Sequence, residues 1–168
     1  MKTVIFFKTR NGATEQYARW LAEDLGESDV LNISKIDLEK IDWSKYQRCI
    51  FASPNYSGEI IIKDELEKLW KNVDTCQCFL LVVGMVPQKE SWSKKAYEQI
   101  PDHIRDEILG YVKLPGVMPE SRKPNAFERL LIRIFLRTSP KKIYTQKYLD
   151  RSDLEGVKAM INKHNNNS

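Results

Sequence analysis

Residues 2–14, KTVIFFKTRNGAT, constrain the fold more than any other stretch of the chain. A short apolar run (Val4, Ile5, Phe6, Phe7) stops at a polar loop, Thr9, Arg10, Asn11, Gly12, Ala13 and Thr14. The amphipathic pattern EQYARWLAEDL follows directly. This order predicts strand, tight loop, helix. A helix start offers unpaired backbone N–H groups and the positive end of the helix dipole, which together hold anions such as phosphate. Gly12 permits a positive φ and a close approach of backbone to ligand. Thr9 and Thr14 add hydroxyl donors. The loop lacks the GxxxxGK[ST] spacing of a nucleoside-triphosphate loop. Its single glycine also excludes the three-glycine dinucleotide fingerprint. Two readings remain: a phosphate loop of another kind, or an ordinary strand-to-helix turn capped by threonine.

Beyond this loop the chain alternates strands and helices. Strands are expected at 3–7, 29–33, 47–53, 77–84 and 109–114. Helices are expected at 14–25, 60–72, 93–108 with a break at Pro101, and 152–164. A short helix or turn is expected at 36–46, capped by Ser34. Ser152 with Glu155 three positions on forms a capping-box pattern for the last helix. The run QCFLLVVG shows no alternation, as befits a strand buried on both faces. Such a series argues for a parallel sheet covered by helices on both sides. With five strands we expect a doubly wound α/β fold in the order 2-1-3-4-5, as one domain spanning 1–168. Ligands in such sheets bind at the carboxyl ends of the strands, at the switch point between the first and third.

That geometry requires the loops after strands one, three and four to suit one ligand. The loop after the third strand, Pro54, Asn55, Tyr56, Ser57 and Gly58, offers an aromatic and flexible polar residues. The loop after the fourth, 85–92, offers backbone groups at Val86, Pro87 and Gln88. A flat, electron-rich ring needs apolar or aromatic faces and a few hydrogen bonds at its edge. Tyr56 is the stacking candidate. The T-x-x-G-x-T loop resembles the phosphate loop of flavodoxin-like proteins, which hold flavin mononucleotide (FMN).

No apolar run approaches the roughly 20 residues of a spanning helix, and MKTVIFF reads as a buried strand rather than a signal peptide, so a cytoplasmic location is expected. Cys49, Cys76 and Cys78 lie in or beside strand-like runs, and His103 and His164 stand in unrelated contexts. No metal site is expected; buried thiols are.

Residues 115–147 exceed the minimal pattern. From 120 to 147 there are eight basic and two acidic residues, while the whole chain carries only +4. The basicity is local. NAFERLLIRIFLR predicts an amphipathic helix with Asn125 as N-cap. Phe127, Leu130, Leu131, Ile134 and Phe135 form its apolar stripe, and Arg129, Arg133 and Arg137 recur every four residues. Such a helix over 125–137 suits peripheral contact with an anionic membrane, an acidic partner or a carboxylate-bearing ligand; packing on the sheet with solvated arginines is the alternative. No recognised nucleic-acid motif or basic–aromatic platform is present.

Taken together, MKTVIFFKTRNGATEQYARWLAEDL, FASPNYSG, AFERLLIRIFLRTS and KIYTQKYLDRSDLEGVKAMI resemble the menaquinone-dependent protoporphyrinogen oxidase family over nearly the whole length. The late basic helix is the more specific part of that resemblance. The loops PNYSGE and GMVPQKESW depart from the pattern of the oxidase members. The resemblance implies a flavodoxin-like fold with phosphate contacts from Thr9, Arg10, Asn11, Gly12, Ala13 and Thr14. It implies ring contacts from Ser53, Pro54, Asn55, Tyr56, Ser57 and Gly58, and from the loop carrying Val86, Pro87 and Gln88. It also implies oxidation of protoporphyrinogen IX to protoporphyrin IX, with FMN as cofactor, a quinone as acceptor and no side chain as catalytic base. The rival functions are a flavodoxin-type electron carrier, an NAD(P)H-dependent FMN quinone reductase, and an interaction protein that has lost FMN.

Overall fold

The computed structural model describes residues 1–73, 75–117, 126, 129, 130, 133 and 148–165. The strands are β1 (Thr3–Phe7), β2 (Ser28–Asn32), β3 (Arg48–Tyr56), β4 (Glu59–Ile60), β5 (Gln77–Gly84) and β6 (Gly110–Pro115). The helices are α1 (Ala13–Leu25), α2 (Lys63–Trp70), α3 (Ser91–Tyr97), α4 (Asp102–Glu107) and, at the end, α5 (Glu155–Asn165). Five parallel strands run in the order β2-β1-β3-β5-β6. The fold is the expected flavodoxin-like α/β arrangement. It differs by a sixth, two-residue strand, β4, which pairs antiparallel with the end of β3.

Period-two alternation distributes each strand between two cores. Val4, Phe6, Phe51, Leu80 and Val82 face α2, α3 and α4, where Leu66, Leu69, Ala96 and Ile104 meet them. Ile5, Phe7, Ile50, Phe79 and Leu81 face α1 and α5, meeting Tyr17, Leu21, Val157 and Ile161. Each fully buried side chain of this size contributes about 1.5–3 kcal/mol. Both faces being covered explains why β5 carries no polar alternation.

Element boundaries differ where local hydrogen bonds compete with periodicity. Gly12, at φ +84°, stands at the N-cap of α1 rather than a threonine. The 36–46 segment forms two short 3-10 turns, the first capped by Asp37, whose carboxylate accepts from Glu39 N; Ser34 is not the cap. Asp150 accepts from Ser152 N (2.9 Å) and opens a 3-10 turn before α5, displacing the expected Ser152 cap. The break at Pro101 falls between α3 and α4. Cys49 and Cys78 are buried partners in register on β3 and β5.

Within the basic segment, Ala126, Arg129, Leu130 and Arg133 are helical and exposed, Leu130 at 52%. Phe127, Leu131, Ile134, Phe135 and Arg137 of the expected helix lie outside the described residues. No helix among the described residues is long and apolar enough to cross a membrane.

Candidate functional site

The carboxyl ends of β1, β3 and β5 carry the loops that the sequence singles out. After β1, Lys8 N donates to Ala52 O (3.0 Å), which keeps the departing chain against β3. Thr9 Oγ1 accepts from Gly12 N (2.9 Å), closing the loop just ahead of α1. Gln16 N donates to Gly12 O, so α1 is wound from Gly12 onward. The amides of Ala13, Thr14 and Glu15 precede the first intrahelical donor, as the geometry of any helix start requires. Arg10, Asn11 and Gly12 are exposed, Ala13 is half-buried and Thr14 is buried.

The loop after β3 is a ribbon rather than an irregular loop. Pro54, Asn55 and Tyr56 belong to β3; Asn55 pairs with Ile60 and Tyr56 with Glu59. Ser57 (φ 51°) and Gly58 (φ 86°) form the two-residue turn. Two positive φ values in succession match the strand twist of a tight hairpin, and glycine meets that need at the second position. Gln99 Nε2 donates to Gly58 O (3.0 Å) and ties the turn to the α3–α4 connection. Arg10 sets its guanidinium 3.6 Å over the Tyr56 ring, so the loops after β1 and β3 meet face to face.

Other side chains form the base of this ribbon. Ser53 is fully buried; its hydroxyl accepts from Ile62 N (3.1 Å) and donates to Pro54 O (3.0 Å). It therefore fixes the start of α2 and is turned away from the surface. Lys8 Nζ lies 2.6 Å from Glu65 Oε1 on α2 and donates to Ile61 O (3.3 Å). This link escaped the sequence reading because Lys8 and Glu65 are 57 positions apart. Asn55 Nδ2 is buried without a hydrogen-bond partner among the described residues.

At the end of β5, Gly84 lies against Asn55 and Lys113. A Cβ at Gly84 would stand 3.2 Å from Asn55 Cβ and 3.2 Å from Lys113 Cε. Gly116 N donates to Gly84 O (2.9 Å). Gln88 is engaged with β6: its Nε2 donates to Tyr111 O and its Oε1 accepts from Lys113 N, both at 3.0 Å. Val86 O accepts from Ser93 Oγ (3.1 Å) and Pro87 O from Glu90 N (3.1 Å). Met85 in this loop and Trp92 in the first turn of α3 remain exposed.

Lys113 is the site-proximal residue the sequence reading missed. It is 5% exposed, and its Nζ donates to Ser93 Oγ (2.6 Å). Burial lowers its ammonium pKa to about 8. Its position inside an otherwise apolar strand, YVKLP, was the available signal.

The site thus combines a glycine-led helix start, an aromatic ribbon and a buried donor, Asn55 Nδ2, at one end of the sheet. These features suit a phosphorylated ligand with a flat polar-edged ring. Residues 4–143 match the family described as the flavodoxin domain. The chain is 25% identical to the protoporphyrinogen IX dehydrogenase [quinone] of Escherichia coli (strain K12), over 94% of this chain and 91% of that protein. The counterpart of Escherichia coli O157:H7 matches with the same figures. Among solved structures, the Fusobacterium nucleatum flavodoxin bound to flavin mononucleotide superposes with a TM-score of 0.51 at 14% identity, covering 98% of this chain and 99% of that one.

Proposed function

The chain belongs to the flavodoxin domain family, and from that premise we propose that it is an FMN-dependent oxidoreductase that oxidises protoporphyrinogen IX to protoporphyrin IX with a quinone as acceptor. The observation carrying the cofactor is the meeting of the α1 start and the Tyr56 ribbon at the carboxyl ends of β1 and β3. The amides of Ala13, Thr14 and Glu15 hold the phosphate, aided by the α1 dipole. Thr9 holds Gly12 in the conformation that exposes them. Tyr56 would stack through the ring face opposite Arg10, and the Asn55 amide, without a partner among the described residues, would supply a donor for the polar edge of the ring. Bound FMN supplies reversible two-electron chemistry, and the protein positions and tunes it.

The substrate assignment draws on the end-to-end relationship to the quinone-dependent dehydrogenase and on the local basic segment. Six electrons and six protons leave the porphyrinogen, and three quinones become three quinols. Exposed Met85 and Trp92 give an apolar approach for a quinone beside the site. Exposed Arg129 and Arg133 give a cationic face for propionates or for anionic lipid. On this reading the protein is cytoplasmic and meets the inner face of the cell membrane peripherally through 125–137.

The test is anaerobic oxidation of protoporphyrinogen by purified FMN-loaded protein. Formation of porphyrin only when a menaquinone analogue is present supports the assignment. Rapid reduction of the bound flavin by NADPH, without porphyrin formation, replaces it with the quinone-reductase reading.

A further inference from the structure

Among the described residues, Arg48 and Lys113 are the two cations less than a tenth exposed. They lie at opposite ends of the sheet. Arg48 begins β3, where Thr3 Oγ1 and Asn165 Oδ1 accept from it. Lys113 lies toward the carboxyl end of β6, level with Val82 on β5, and Val82 is level with Ser53 on β3. It therefore stands in the row just below the candidate ligand site.

Its surroundings join it to that site through three contacts. The lysine stem and the Asn55 side chain crowd the same face of Gly84, and the Asn55 amide nitrogen is a buried donor without a partner among the described residues. The ammonium donates to Ser93, whose hydroxyl donates in turn to Val86 O in the loop after β5. The Lys113 backbone N–H donates to Gln88 of the same loop. A methionine would fill this space without bringing a charge into the protein interior, where a charge carries a desolvation cost. A buried ionisable group with a strongly perturbed pKa beside a candidate site is a mark of function.

We propose that Lys113 is a positioning residue that sets the reduction potential of the flavin: its fixed ammonium, with the Asn55 amide, stabilises the negative charge that FMN gains on reduction. This rests on the FMN reading above and deepens it. Two electrons and one proton enter the ring from the substrate being oxidised, leaving one net negative charge on the ring. A pre-oriented cation beside the site lowers the energy of that form and leaves the oxidised ring nearly unaffected. The chain is thereby suited to taking electron pairs from an organic reductant rather than delivering electrons at low potential.

The experiment compares wild type, Lys113→Met and Lys113→Gln as purified full chains. Dissociation constants are measured for oxidised FMN and for dithionite-reduced FMN, and unfolding midpoints are recorded alongside. Both neutral variants are expected to lose affinity for reduced FMN at least tenfold more than for oxidised FMN. That loss lowers the two-electron potential by about 30 mV per tenfold change. The Gln variant keeps a donor for Ser93, so it gives the answer if the Met variant does not fold. A differential loss below tenfold in a folded, FMN-binding variant overturns the inference and leaves the proposed function standing. A wild-type protein that takes up no FMN overturns the proposed function, and this inference with it.

Discussion

At the scale of single residues, two positions carry most of the account, and they differ in how plainly the sequence declares them. Gly12 was legible: a lone glycine between an apolar run and an amphipathic run has few other uses, and it does adopt φ +84°. Lys113 was less legible: its place in an apolar strand was a sign, but a lysine in a strand ordinarily points to water, and its burial comes from the packing of α3 and Asn55 around it. Its burial has a measurable consequence. The folded-state amine titrates at about 8, below the roughly 10.4 of an unfolded lysine. Between those values the unfolded chain binds more protons, so this group makes stability rise with pH across that window. The buried charge therefore costs about 3 kcal/mol at neutral pH relative to the alkaline plateau. Urea unfolding of wild type and Lys113→Met at pH 7 and pH 10.5 checks this. The variant is expected to gain ground on wild type at the lower pH by about 2–3 kcal/mol more than at the higher one. An equal difference at both pH values contradicts the assignment of the charge to a buried site.

At the scale of elements, periodicity located the five parallel strands to within three residues at either end and anticipated the break at Pro101. It missed the ribbon after β3, because Pro54, Asn55 and Tyr56 read as loop formers and β4 is only two residues long. The Ser57–Gly58 pair was the available sign of a tight turn. It also misplaced the start of α2, since Ile60 and Ile61 continue a helical pattern that the ribbon interrupts. Ser53 decides that boundary. Its hydroxyl joins the end of β3 to the Ile62 N–H in front of α2. Ser53→Ala leaves that buried N–H without its acceptor, and we expect a loss of about 1–3 kcal/mol in urea unfolding. A loss below about 0.5 kcal/mol, the size of an ordinary surface change, would show that the ribbon and α2 are held by other contacts.

At the scale of the whole molecule, the fold places its loops by the logic of a doubly wound sheet. The strand order β2-β1-β3-β5-β6 puts the switch point between β1 and β3, where the Arg10–Tyr56 contact closes the site. This much follows from alternation of strand and helix, which is why the fold was readable from the chain. The use of the basic segment was not readable in the same way, since amphipathicity alone leaves membrane, partner and sheet as alternatives. Replacing Arg129, Arg133 and Arg137 by Glu tests it. Each basic residue near an anionic surface contributes about 1 kcal/mol, so binding to phosphatidylglycerol vesicles is expected to fall at least tenfold while FMN affinity holds. Unchanged sedimentation with vesicles would mean that these arginines are merely solvated.

The proposed function stands or falls with a phosphate held by the amides that open α1. Calorimetric titration of the flavin-free chain with FMN and with riboflavin, which share a ring and differ by that phosphate, tests it most directly. FMN is expected to bind at least a hundredfold more tightly than riboflavin, the equivalent of about 2.7 kcal/mol. Equal affinities, or heat from neither ligand, would contradict it.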